Sequence, residues 1–228
     1  LQTQVWLTML YHVGLHLPWD WRIGPADSSE RAHALDMLAS LPDDSLLTAD
    51  AGFVGYEFAQ RVLAQGCQFL VRVGSNVKLL KKLGYVRESL GTVYVWPEKA
   101  AQRSRPPLVF RLIMVQGTRH PVFLMVSILN RSVLTNQEAA DLYRARWGVE
   151  VFYRHLKQTF QRRKLRSHCA ENACVELQWS LIGLWSIGLY ASRELNVQRI
   201  PLERLSLAKA LAAFRRVARD YLHPIQPT

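Results

Sequence analysis

Residues 45–73, SLLTADAGFVGYEFAQRVLAQGCQFLVRV, leave few folds open to this chain. A short apolar run at 45–48 ends in Ala49 and Asp50, and Gly52 and Gly55 make a tight turn. A helical pattern follows over 56–65 and stops at Gly66, where a second apolar run begins at 67–73. The upstream sequence has the same grammar. The strand formers of 5–11 (VWLTMLY) and the alternating 19–23 (WDWRI) flank a turn at 14–17, and Pro25 closes the pair. Ser28, Ser29 and Glu30 then open a helix with Ala34, Leu35, Leu38 and Leu41 on one side, stopped by Pro42. Strands alternating with helices predict an α/β layer, with helices packed on a mixed sheet.

Asp50 falls just beyond the carboxyl end of a strand, where functional groups of open α/β sheets gather. A carboxylate there also serves as a helix cap or turn residue. From 74 to 131 the long helical period disappears. Short β-rich runs at 91–96, 108–115 and 122–129 alternate with Gly and Pro, and RSRPP at 103–107 reads as an exposed loop. Lys78, Lys81 and Lys82 form a basic cluster that suits either solvent or a polyanion.

Helix returns at Thr135, which has Glu138 at capping-box spacing and an alanine-rich first turn. In the segment YRARWGVEVFYRHLK, Tyr143, Arg146, Glu150 and Lys157 fall within an arc of about 60° at 100° per residue. One carboxylate thus shares a face with a phenol and two cations. Arg154 joins its edge, while Leu142, Val149, Val151, Phe152 and Leu156 supply apolar surface. Such a face also suits a solvated amphipathic helix. Gly148 costs about 1 kcal/mol against alanine there, so close approach of another backbone is one reason for it.

The net charge of +11 points to a polyanionic partner. Eight basic residues against two acidic ones lie between Asp141 and Arg166, and they include the patch QRRKLR with Arg162, Arg163 and Lys164. Such a patch binds phosphates with strong salt dependence. Three cysteines fit a reducing compartment without a disulfide framework, and His168, Cys169 and Cys174 lack a usual zinc spacing. The apolar stretch 176–192 is shorter than the roughly 20 residues of a membrane span and reads as a buried core helix. Residues 205–221 read as a basic amphipathic helix. No phosphate-cradling loop, nucleophile elbow or dinucleotide fingerprint is present.

The order Tyr, two residues, Arg, three residues, Glu, six residues, Lys resembles the signature of the insertion-sequence-four family of DDE transposases, at Tyr143, Arg146, Glu150 and Lys157. LLTADAGF resembles the setting of that family's second catalytic Asp, and the segment from Ser28 to Glu30 with its leucine-rich helix resembles the family segment before it. The resemblance implies an RNase H-like core, a mixed sheet with flanking helices. It also implies a β-rich insertion between the second and third acidic residues. The expected parts are 1–73 as the first core segment, 74–131 as the insertion and 132–228 as the second core segment.

The implied activity is DNA transposition by phosphodiester cleavage and strand transfer. Asp50 and Glu150 are the implied metal ligands for Mg²⁺, with Mn²⁺ able to substitute. Tyr143, Arg146 and Lys157 are the implied phosphate contacts, to which the basic reading adds Arg154, Arg162, Arg163 and Lys164. The implied setting is double-stranded DNA in the bacterial cytoplasm, at the nucleoid, with a homodimer and no membrane.

The first residue is Leu1, and strand-like sequence follows almost at once. A fragment is therefore expected, with the first core strand and its catalytic Asp upstream. Asp20 and Asp27 are poor substitutes. Two other readings stay open: an inactive remnant that still binds DNA, and an unrelated basic α/β protein.

Overall fold

A computed structural model describes residues 4–73, 85–89, 91–97, 104–117, 120–161, 164–167 and 169–222. Two units divide the chain: Ser28–Trp147 forms one, and Leu1–Asp27 with Gly148–Thr228 forms the other.

The continuous unit is built on a six-stranded mixed sheet. Its strands are β3 (Leu46–Ala49), β4 (Gln68–Arg72), β5 (Tyr85–Ser89), β6 (Thr92–Trp96), β7 (Leu108–Val115) and β8 (Val122–Val126), in the order β3-β4-β8-β7-β6-β5. Among the described strands, only β3 and β4 pair in parallel. A parallel pair needs a crossover, and α2 (Tyr56–Ala64) supplies it, ending at Gly66 with φ +77.

The two-residue period of β4 sorts side chains between two cores. Phe69 and Val71 join a cluster with Phe110, Met125 and the buried faces of α1 (Glu30–Met37) and α2. Leu70 joins Ile113, Leu124 and Val126 on the other side, where α3 (Asn136–Ala145) contributes Ala139. Helices thus cover both faces of the sheet, and the strands between the two acidic residues continue it through the β4–β8 pairing.

Two devices fix the start of α3. The Thr135 side chain accepts from the Glu138 N–H at 3.2 Å, and the Glu138 carboxylate accepts from the Thr135 N–H at 2.8 Å, completing the expected capping box. Arg111, buried on β7, donates through Nη2 to the Leu134 carbonyl at 2.6 Å, directly before the cap.

In the other unit β1 (Val5–His12) and β2 (Leu17–Pro25) form the expected antiparallel hairpin, with a register shift between Leu10 and Tyr11. Val5, Leu7, Met9 and Tyr11, every second residue of β1, pack on Phe152, Leu156, Leu177, Leu181 and Leu184. Phe152 lies on α4 (Trp147–Arg154), and Leu156 lies on the π turn His155–Thr159 that continues it. The leucines lie on α5 (Ala170–Val197), which is longer than the apolar stretch suggested, and α6 (Leu207–Leu222) adds Leu207.

The signature segment differs from expectation. It is not one helix: α3 ends at Ala145 with Arg146 as its C-cap, α4 begins at Trp147, and Lys157 lies in the π turn. The arc of an uninterrupted helix therefore does not carry over, because each irregularity shifts the phase of the residues beyond it. Gly148 lies just past the break. A Cβ there would come within 2.8 Å of the Tyr11 ring, so a side chain, rather than a backbone, takes the space.

Candidate active site

Asp50 is delivered by β3. The chain then tightens into a 3₁₀ turn, Ala51–Phe53, closed by the Phe53 N–H donating to the Asp50 carbonyl at 3.0 Å. The Asp50 side chain makes no capping bond to this turn. That excludes the helix-cap reading and leaves the half-exposed carboxylate free to serve other partners.

Both of its oxygens have one. Tyr143 donates its phenol to Oδ1 at 2.6 Å, and the Arg146 guanidinium pairs with Oδ2 at 3.2 Å. Asp50 and Tyr143 are 93 residues apart in sequence. Arg146 also lies over the Tyr143 ring, 5.5 Å from its centroid, so the two partners brace each other. Burial, with the bond to Asp50, pushes the Tyr143 phenol up to about 12. It is thus a hydrogen-bond donor throughout the neutral range, and Asp50 is held in one orientation from two sides.

Two further charged residues belong to this neighbourhood. Arg72, at the end of β4, lies close enough for its charge to act on Tyr143. Glu30, in the first turn of α1, has its carboxyl pushed up by burial and by the negative charge of Asp50. Sequence reasoning missed both. Arg72 had a usable signal, since it ends a strand beside the one carrying Asp50, but Glu30 resembles any acidic residue at a helix start.

The other candidate residues lie in the second unit. Glu150 is half-buried in the first turn of α4, Arg154 is exposed at its end, and Lys157 is exposed with its ammonium 6.0 Å from the Tyr153 ring. Tyr153 in turn donates to the Leu7 carbonyl at 3.1 Å, which pins this segment to β1. Lys164 is exposed, while Arg162 and Arg163, like Lys78, Lys81 and Lys82, lie outside the described residues. The structure therefore joins Asp50, Tyr143 and Arg146 in one cluster, whereas Glu150, Arg154, Lys157 and Lys164 belong to the other unit. The carboxylates of Asp50 and Glu150 are the hard oxygen donors that Mg²⁺ takes, so the donor chemistry fits such an ion. Among the described residues no group of three or more His, Cys, Asp or Glu side chains is placed to hold a metal.

Comparison with known proteins gives a consistent result. Residues 5–185 match the family described as Transposase DDE domain. The chain is 25% identical over 199 residues to the transposase InsG of insertion sequence element IS4 from Escherichia coli K12, covering 83% of this chain and 44% of InsG. It therefore spans less than half of that relative's length. Among solved structures it resembles the piggyBac transposase, seen by cryo-electron microscopy in a synaptic complex with hairpin DNA. That match has a TM-score of 0.54 at 13% identity and covers 97% of this chain and 51% of the other. The likeness supports the RNase H-like class expected from the sequence, a mixed sheet with flanking helices. Signature and family match agree: the chain belongs to the DDE transposases, of the insertion-sequence-four type.

Proposed function

We propose that this chain is the catalytic core of a transposase that cuts and rejoins DNA phosphodiester bonds. The observation that carries the reading is the grip of Tyr143 and Arg146 on Asp50. Two residues of a DNA-processing signature converge on the very carboxylate that the sequence singled out independently.

The overall chemistry has two displacements at phosphorus. Water attacks a backbone phosphate, and the bond to the 3′ oxygen breaks to leave a 3′ hydroxyl. That hydroxyl then attacks a target phosphate, forming one phosphodiester as another breaks. In this reading Asp50 and Glu150 hold Mg²⁺, or Mn²⁺ in its place. Bound metal supplies neutralisation of the phosphate charge and a lowered pKa for the attacking water. Tyr143 and Arg146 orient Asp50. As DNA arrives, the guanidinium of Arg146 and the ammonium of Lys157 balance charge on non-bridging phosphate oxygens. Arg154, Lys164, Arg162 and Arg163 extend the basic track along the DNA backbone.

The division into core segments 1–73 and 132–228 around a β-rich insertion at 74–131 belongs to the same proposal. So do action on double-stranded DNA as a homodimer and a setting at the bacterial nucleoid. Among the described residues no helix is long and apolar enough to cross a membrane.

The test is nicking of supercoiled plasmid in Mg²⁺ or Mn²⁺ by this chain joined to the first core strand and Asp that the family resemblance implies, compared across wild type, Asp50→Asn and Glu150→Gln, with DNA affinity measured in parallel. Metal-dependent nicking that both substitutions abolish, while DNA binding persists, is the expected result. Equal nicking by wild type and both variants would reject the assignment of Asp50 and Glu150.

A further inference from the structure

Helix α5 is apolar on two opposite sides. One side is buried in its own unit through Ala173, Leu177, Leu181 and Leu184. The other exposes Val175 at 49%, Trp179 at 69%, Ile182 at 41%, Trp185 at 37% and Leu189 at 43%. A core helix does not need this second side, and water penalises it.

The pattern of the exposed side is specific. At 100° per residue, Glu171, Val175, Ile182, Leu189 and Arg193 fall within about 20° of one line, with Trp179 and Trp185 about 60° to either side. Val175, Ile182 and Leu189 recur every seven residues, the repeat by which one helix lies along another. The chemistry is also symmetric about Ile182. Trp179 and Trp185 are three residues away on either side, Val175 and Leu189 seven, and Glu171 and Arg193 eleven.

We propose that this face is the interface of a homodimer, in which α5 packs antiparallel on α5 of a second copy about a two-fold axis at Ile182. Turned end for end, the second copy sets Glu171 against the partner's Arg193 and Val175 against the partner's Leu189. Trp179 and the partner's Trp185 come to the same level on opposite sides of the seam, so the two indoles of each copy flank it, and Ile182 meets its own equivalent. Every contact off the axis occurs twice, as an isologous interface requires. Glu171 lies in the first turn of α5 and Arg193 near its end, so the pairing also brings opposite ends of the two helix dipoles together. Among the described residues no ion pair engages Glu171 or Arg193, and both are exposed. DNA is a poor occupant, because along this line one cation is offset by one carboxylate. The interface deepens the homodimer of the proposed function but is independent of the phosphodiester chemistry, so either can fail alone.

The test is sedimentation of the purified chain at tens of micromolar, with circular dichroism confirming that each variant keeps its helix content. Wild type is expected to sediment as a dimer. Ile182→Glu, which places two like charges on the axis, abolishes the dimer. Glu171→Arg and Arg193→Glu each weaken it at least about tenfold by opposing like charges, and the double variant Glu171→Arg/Arg193→Glu restores it. A monomeric wild-type chain overturns the proposal, including the case where further sequence of a longer protein covers this face. A dimer indifferent to Ile182→Glu, or a double swap no better than its singles, overturns it equally.

Discussion

The two halves of the signature segment are held in different ways. The first half, on α3, is secured by polar contacts: a capping box at Thr135 and Glu138, then the bonds from Tyr143 and Arg146 to Asp50. The second half, on α4 and the π turn, is secured by apolar anchors, with Phe152 and Leu156 buried among β1 and α5 residues. The boundary between units falls between Trp147 and Gly148. A single linear motif is thus distributed over two hydrophobic cores. Spacing along a helix conveys less about such a site than the packing on each side of the break.

Substitutions that strike one half at a time sharpen this contrast. Phe152→Ala should have the largest effect, a loss of about 3–5 kcal/mol, because it opens a cavity where the side chain is 1% exposed. Urea unfolding followed by fluorescence measures it, and a loss under about 1 kcal/mol would remove Phe152 as the anchor.

Gly148→Ala comes next. Helix propensity alone would favour alanine by about 1 kcal/mol, but displacing the Tyr11 ring costs about 1–3 kcal/mol. A net loss is expected in the same unfolding measurement. A net gain would mean that Tyr11 moves aside freely.

Thr135→Ala should cost about 1 kcal/mol through the lost cap. Its effect should also depend on pH. The bonds to Thr135 hold the Glu138 carboxyl below its ordinary 4.5, so their contribution is fully present above that pH and fades as pH falls through the lowered value. The gap between wild type and variant should therefore narrow in acid, down to the share of the Glu138 N–H bond to the Thr135 hydroxyl. A gap that stays constant to low pH would show that the carboxylate takes no part in the cap.

Tyr143→Phe should have the smallest effect on stability, about 1 kcal/mol, because one partly exposed hydrogen bond is lost. Its raised phenol contributes stability that is complete below 10 and lost as pH rises through about 12. In an ultraviolet titration the variant should lack one late phenolate step. Tyr11, also pushed up to about 12 by burial, supplies another such step. Loss of an ordinary step near 10 in place of a late one would put Tyr143 in an aqueous setting.

Much of the architecture was legible because it follows from local rules. The helix of 56–65, its glycine stop, the flanking strands and the capping box all appear at or within a residue or two of their expected places. Strand β7 appears over the same residues, 108–115, that its apolar run marked. Strand β5 was missed, because Tyr85–Ser89 has no apolar alternation and owes its existence to pairing with β6. The break at Arg146 was missed as well, since nothing but Gly148 disturbs the helical pattern there.

For the candidate site the division has the same origin. Asp50, Tyr143, Arg146, Glu150 and Lys157 could be named from residue types and spacing, because chemistry restricts which side chains suit the task. By itself the sequence determined the periodicities, the caps, the basic character and this set of residues. All of these depend on neighbours within a few turns or strand steps. Only the tertiary structure decided that Tyr143 and Arg146 close on Asp50, that Arg72 and Glu30 stand beside them, and that the motif divides at Gly148. Those outcomes depend on burial and on contacts between residues as many as 93 positions apart, which the packing of whole cores selects and no local propensity encodes.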